Sequence, residues 1–243
     1  MKLVITRPFE DSLESQKKIQ AVSDISCFIQ PVMEVIMLEK KIELPKDAVI
    51  VITSMNGIRA LASNSDVRSF RIITVGEQSA KEARRLGFVR VESAAGPAVS
   101  ASEMNLIKYI KANLDNKIMI NHISAGITKG GLKKKLQEDG YKYNRIILYI
   151  SEPVKFTEEF IEKVRLGQFD AYSFFSPRSA ALFAKEIYEN GLGAFLHRSV
   201  AFCFSENVIL GLSGLNFAKI YIPEVTNSEN FVNLICTHNN EAI

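Results

Sequence analysis

Two ten-residue phrases carry the residue types best suited to holding an anion. ITSMNGIRAL at 52–61 and FFSPRSAALF at 174–183 each pass from a β-branched or aromatic run into Ser, a turn and a helical start. Ser54 and Ser176 are the matching positions, 122 residues apart. A strand that ends in Ser and turns straight into a helix leaves unpaired amide N–H groups facing the turn, and such groups bind anions. Two of these turns predict a ligand with acidic groups at both ends, held between two similar lobes.

The remaining candidates follow from the same geometry. In a doubly wound sheet, ligands bind outside the C-terminal ends of the strands. Those ends read Thr6-Arg7-Pro8, Thr53-Ser54-Met55-Asn56, Val75-Gly76-Glu77-Gln78-Ser79, His122, Ser176-Pro177-Arg178 and Phe204-Ser205-Glu206-Asn207. Hydroxyls, amides and glycine dominate, groups that donate hydrogen bonds to anions without chemistry of their own. Arg7 and Arg178 suit bidentate pairing with carboxylates. Each Ser or Thr is equally a helix N-cap, and capping and ligand binding can share the same amides.

The elements that must position these residues alternate between strand and helix. Leu3–Thr6, Cys27–Ile29, Ala48–Thr53 and Arg71–Val75 read as strands, and AVIVIT is continuous, as in a parallel strand buried on both faces. Glu10–Gln20, Gly57–Ser63 and Gln78–Leu86 read as helices, with Gly87 as the C′ stop. Short loops between alternating elements predict an α/β fold with parallel sheets.

A repeat runs wider than the opening phrases. KLVITRP at 2–8 matches KIMINHI at 117–123, and IITVGEQSAKEA at 72–83 matches AFCFSENVILG near 201–211. SASEMNLIKYI at 100–110 matches TNSENFVNLIC at 226–236, where Ser100-x-x-Glu103 and Thr226-x-x-Glu229 both have capping-box form. Matched segments in one order indicate duplication. No low-complexity linker separates the halves. Two extended stretches, 30–35 with Pro31 and 147–153 with Pro153, read as crossings between lobes.

Composition narrows the classes. The 243 residues are 47% hydrophobic and 23% charged with net charge +3, ordinary for a globular chain and too weakly basic for a nucleic-acid binder. The Lys129–Lys135 run reads as a solvated helix face. Cys27, Cys203 and Cys236 lie far apart, which argues for a reducing compartment and against disulfides or zinc. His122, His197 and His238 have no metal-ligand spacing and read as surface or structural residues. Nothing resembles a signal peptide or a membrane span. The Walker, Rossmann, zincin and nucleophile-elbow signatures are absent, and Gly126–Gly131 reads as a helix-leading turn. The expectation is a cytoplasmic protein without metal or cofactor.

Taken together, V-I-T-R-P, I-T-S-x-N-G-I-R-A-L, V-G-x-x-S-A-x-x-A-x-x-L-G-F, the L-Y at 148–149 and F-F-S-P-R-S-A resemble the uroporphyrinogen-III synthase family over nearly the whole chain. The resemblance implies two similar parallel-sheet α/β lobes joined by a two-stranded β-ladder. One lobe would be 1–33 plus 152–243 and the other 36–149. It implies a monomeric, cofactor-free hydro-lyase of haem biosynthesis. The enzyme would close hydroxymethylbilane to uroporphyrinogen III with loss of water and inversion of ring D, with hydroxymethylbilane synthase as a transient donor.

Carried onto this sequence, the resemblance makes Tyr149 the candidate acid. It makes Arg7, Ser54, Asn56, Gly76, Ser79, Ser176, Arg178, Ser205 and Asn207 the substrate-binding set. Two departures stand out. Cys203-Phe204 is read where the first repeat has Val75-Gly76, so Phe204 would narrow the pocket. Asn207 stands where a hydroxyl is usual. A two-lobed anion-binding module and an inactive paralogue are the alternative readings.

Overall fold

The computed structural model describes residues 1–95, 102–127 and 130–241. In chain order the elements are β1 (Lys2–Ile5), α1 (Phe9–Gln20), β2 (Ser26–Ile29), β3 (Met33–Met37), β4 (Val49–Ile52), α2 (Met55–Asn64), β5 (Arg71–Thr74), α3 (Glu77–Arg85), β6 (Arg90–Ser93) and α4 (Glu103–Asn113). They continue with β7 (Met119–Ala125), α5 (Leu132–Glu138), β8 (Lys142–Pro153), α6 (Glu158–Arg165), β9 (Ala171–Phe174), α7 (Pro177–Glu189), β10 (Val200–Cys203), α8 (Glu206–Ile209), β11 (Lys219–Tyr221) and α9 (Ser228–Glu241).

The chain divides into two compact units, Met1–Glu34 with Glu152–Ile243, and Val35–Ser151. The first contains a five-stranded sheet in the order β11-β10-β9-β1-β2, parallel throughout. β1 is an interior strand there, between β9 and β2, and Leu3, Val4 and Ile5 are fully buried. Two apolar layers flank the sheet. One is an aromatic cluster in which Phe183 packs within 5.4 Å of Phe156, Tyr172 and Phe174. The other gathers Leu3, Ile5, Ile19, Phe202 and Phe231.

The second unit carries the order β3-β8-β7-β4-β5-β6. β8, β7, β4, β5 and β6 run parallel. β3 is antiparallel to β8, since Val154 donates to Val32 and Leu38 donates to Leu148. Ile50, Ile52, Ile58, Leu61 and Ile72 pack one face of this sheet, and Val49, Val51, Leu106, Ile110 and Ile120 the other. Both faces being covered explains the unbroken apolar run of β4.

The two sheets share one plan. Strands β2-β1-β9-β10-β11 correspond to β8-β7-β4-β5-β6, and each order reverses direction between its second and third strands. Ligand crevices form at such a reversal. It lies between β1 and β9 in the first unit and between β7 and β4 in the second.

The structure corrects two alignments and one placement made from sequence. Leu3 and Ile120 hold equivalent places, each beside the first residue of the next strand, so the KLVITRP match is slipped by two residues. Phe204 is equivalent to Val75 and Ser205 to Gly76, one residue away from the expected pairing. His122 lies in the middle of β7, buried, rather than at a strand end. Both capping boxes also shift. Ser100 falls outside the described residues, and α4 is capped by Ser102, whose hydroxyl accepts from Asn105. At α9 the cap is Asn227, whose side chain accepts from Asn230, in place of Thr226.

Lys133, Lys134 and Lys135 are exposed on α5, and Lys134 pairs with Glu138, as a solvated face does. Gly87 has φ +90°, the left-handed conformation that ends α3. Among the described residues no helix is long and apolar enough to cross a membrane, and no group of His, Cys, Asp and Glu has the arrangement of a metal site.

Candidate active site

In the second unit, Ser54 is the N-cap of α2, and its hydroxyl accepts from Gly57 N–H at 3.1 Å. The same oxygen lies 2.7 Å from the Tyr149 phenol oxygen. Tyr149 is 6% exposed. The Ala125 backbone at the end of β7 also acts on the phenol. Burial pushes this phenol above its ordinary value, against the lowering pull of Ser54 and Ala125. It is therefore fully protonated at neutral pH. The candidate acid and one of the candidate anion-binding serines form a single hydrogen-bonded unit at the strand reversal.

A β-bulge makes that contact possible. Along β7 and β8, Ser124 faces Ile147 but Ala125 faces Tyr149, so Leu148 is the extra residue. Before the bulge, Tyr143 packs on the α4 side of the sheet and Ile146 on the opposite side. Strict alternation would send Tyr149 to the α4 side. The extra residue reverses the phase, and Tyr149 joins Leu148 on the side facing Ser54 and Ile52.

Around this pair, Asn56 accepts from Arg59, which Glu82 also holds at 3.1 Å. Glu82 is lowered to about 2, chiefly by its hydrogen bond from Arg85 and then by Arg59. Gly76 is the N-cap of α3, and Ser79 lies in its first turn.

In the first unit, Ser176 caps α7, accepting from Ser179 N–H at 3.1 Å, with the Ser179 hydroxyl 2.7 Å away. Thr6, at the end of β1, donates to Ser173 O across the reversal. Arg7 is braced inside the unit. It pairs with Asp11 at 3.3 Å, donates to Ser15 and stacks on Phe175 at 4.3 Å. Arg178 occupies the first turn of α7 and is half-buried. Ser205 and Asn207 line a cavity of about 310 Å³ with Pro223, Glu224 and Thr226.

Phe204 is not among the residues of that cavity. Its ring stacks on Phe175 at 5.8 Å and meets Phe231 edge-on at 5.5 Å. With Ser205 rather than Phe204 in the place of Gly76, the main sequence argument for an inactive paralogue falls away. Sequence reading missed Ala125, whose backbone reaches Tyr149. It also missed Arg145, which donates from Nη2 to Ala125 O at 2.6 Å and Gly126 O at 2.8 Å, and from Nε to Ser124 at 2.9 Å.

Known proteins agree on the kind of molecule this is. The family profile for uroporphyrinogen-III synthase HemD matches residues 16–233. Uroporphyrinogen-III synthetase from Helicobacter pylori 26695 superposes with a TM-score of 0.64 at 14% identity, over 98% of this chain and 99% of that one. A mutant uroporphyrinogen III synthase from the extremely thermophilic bacterium Thermus thermophilus superposes with a TM-score of 0.57 at 13% identity, over 99% of each chain. At such identities these likenesses speak to the fold. A comparison with curated proteins gives no significant sequence match. The family match spans most of the sequence, and the chain belongs to the uroporphyrinogen-III synthase HemD family.

Proposed function

We propose that Tyr149 is the general acid of the family's reaction in this chain. That reaction is the closure of hydroxymethylbilane, a small-molecule substrate, to uroporphyrinogen III, a cyclising hydro-lyase step of haem biosynthesis. The carrying observation is the 2.7 Å contact between the Ser54 hydroxyl and the Tyr149 phenol.

The contact fits the role. Ser54 accepts from Gly57 N–H and still carries a proton of its own, and either oxygen of the Ser54–Tyr149 pair can donate to the other. With Ser54 as the donor, the phenol proton is left to point at substrate. Transfer of that proton to the bilane hydroxyl breaks the C–O bond and releases water. The phenolate that remains accepts from the Ser54 hydroxyl, which stabilises it. The bilane becomes an azafulvenium cation, and the substituted carbon of the end pyrrole attacks it. The resulting spiro intermediate fragments and recloses with ring D inverted, and the proton released on aromatisation returns to Tyr149.

The substrate's acid arms are assigned to the helix-capping turns at Ser54, Gly76, Ser176 and Ser205, with Asn56, Ser79, Asn207, Arg7 and Arg178 beside them. This assignment rests on their place at the strand C-terminal ends. The free thiols Cys27, Cys203 and Cys236 suit a reducing cytoplasm. A monomer that receives the bilane directly from hydroxymethylbilane synthase fits a substrate that closes without inversion when left in water.

The deciding experiment is incubation of wild-type and Tyr149→Phe protein with hydroxymethylbilane, followed by separation of type I and type III products. Type III formation at the wild-type rate in the variant excludes the acid role.

A further inference from the structure

We infer that Arg145 is a positioning residue for Tyr149, acting by holding the β-bulge that turns the phenol toward Ser54. The inference rests on the reading of Tyr149 as the acid and concerns how that acid is aimed.

The bulge sits at one point, between Ser124 and Ala125 of β7, with Leu148 as the extra residue of β8. A bulge costs ladder hydrogen bonds and leaves backbone groups in search of partners. Here the guanidinium of Arg145 takes up the oxygens. Nη2 donates to Ala125 O at 2.6 Å and to Gly126 O at 2.8 Å, and Nε donates to the Ser124 hydroxyl at 2.9 Å. Three successive residues of β7 and its outgoing loop are thus tied to one planar group. Arg145 stands opposite His122 in the ladder, two residue pairs before the slip. Its side chain runs along the α4 side of the sheet, as does Tyr143.

Tyr149 approaches the same segment from the opposite side. Its phenol meets Ser54, while Gly126 N–H donates to the Tyr149 backbone carbonyl at 2.9 Å. The peptide unit between Ala125 and Gly126 therefore carries the guanidinium on its carbonyl and Tyr149 on its amide. Space is tight on the Tyr149 strand as well: a Cβ on Gly126 would lie 2.9 Å from the Ile150 side chain. Without the guanidinium, the two carbonyls need water or a relaxed ladder. Relaxation by one residue returns Tyr149 toward the wrong face.

Lysine cannot reproduce the fork. Its ammonium is a single point of charge, whereas the three acceptors here span Nη2 and Nε. A small displacement of the acid suffices to slow the reaction, because proton transfer needs hydrogen-bond contact.

The test is a kinetic cycle of Arg145→Met, Tyr149→Phe and the double variant, with Arg145→Lys as the conservative change. The expected result is a fall in kcat of about ten- to a hundred-fold for Arg145→Met, with KM within about two-fold. Arg145→Lys recovers part of it. In the Tyr149→Phe background, Arg145→Met costs nothing further. The Tyr149 ring carbon bearing the hydroxyl, followed by NMR in tyrosine-labelled protein, titrates closer to an ordinary phenol in Arg145→Met.

An equal fold-loss in both backgrounds, or an unmoved Tyr149 titration in a folded Arg145→Met protein, overturns the inference. Wild-type kcat in Arg145→Met beside a slow Tyr149→Phe overturns it and leaves the acid assignment standing. Wild-type kcat in Tyr149→Phe removes the acid assignment and, with it, this inference.

Discussion

The hydroxyl of Ser54 and the phenol of Tyr149 lie 2.7 Å apart, joining the cap of α2 to the bulged strand β8. A capping serine thereby does two jobs. Its oxygen satisfies an orphan amide of the helix, and its hydroxyl shares a hydrogen bond with the candidate acid.

Removing either partner separates those jobs. Tyr149→Phe deletes the proton donor and leaves the cap, so turnover to type III product falls sharply while KM and thermal stability stay near wild type. Ser54→Ala deletes both the cap and the phenol's partner. It is expected to cost about 1 kcal/mol of stability and also to reduce kcat. Parallel denaturant titrations and initial rates distinguish the two patterns.

The pH profile follows from the raised phenol. Burial favours the neutral form in the folded protein, so the acid stays protonated through and beyond the ordinary phenol value of about 10. The contribution of this group to stability is present below that value and lost as pH rises through the folded one. Turnover is expected to show no tyrosine limb between pH 6 and about 10. A limb near neutrality that disappears in Tyr149→Phe contradicts this.

Gly57 sits three residues after Ser54 and donates to it. A Cβ there would lie 2.7 Å from Ile52 Cγ2, a fully buried strand atom. Gly57→Ala is expected to push α2 off β4, at a cost of about 1–3 kcal/mol. The displacement also moves Ser54 away from Tyr149, so kcat falls as well. A variant of unchanged stability and rate runs against this packing.

The first unit has a comparable close approach. At Gly211 a Cβ would meet Pro177 O at 2.5 Å and Ala180 Cβ at 2.7 Å, both in the first turns of α7. Gly211→Ala is expected to destabilise by about 1–3 kcal/mol and to loosen the turn at Ser176. Raised KM for hydroxymethylbilane together with a lower Tm is the expected reading. Normal KM would detach this turn from substrate binding.

His122 makes acid sensitivity specific. It is 5% exposed, its Nδ1 meets the Tyr143 hydroxyl, and its Nε2 has no hydrogen-bond partner. Burial, with a smaller push from Arg145, lowers it to about 4. A base with a depressed folded value favours folding above the unfolded value of about 6.5 and loses that contribution as pH falls toward 4. The loss approaches about 3 kcal/mol. Urea unfolding at pH 7 and pH 4.5 measures it. His122→Gln is expected to remove most of the pH-dependent difference, and an unchanged difference assigns it elsewhere.

Much of this architecture was legible in local sequence. AVIVIT announced a strand buried on both faces, Ser54 and Ser176 announced two helix starts, and Gly87 announced a stop. What escaped was phase. The face taken by Tyr149 depends on one extra residue in β8, and no local pattern in KYNRIILYIS marks Leu148 as that residue. The equivalence of Phe204 depends on which residue of β10 pairs with β9, a long-range register. Ser102 and Asn227 outcompeted neighbouring cap formers because helix starts are fixed by packing as well as by side-chain type. Arg145 was overlooked because two of its three partners are backbone carbonyls, which leave no trace in residue types.

The interior place of β1 bears on how the chain is made. Residues 35–151 leave the ribosome as one continuous stretch that contains all of their own unit. β1 is different. Leu3, Val4 and Ile5 are fully buried, yet the neighbour on one side, β9, begins only at Ala171, and α9 closes over the same apolar layer later still. Until then an early apolar strand has a bare edge, the condition under which nascent chains need protection. β1 is made well before the strand that completes its pairing.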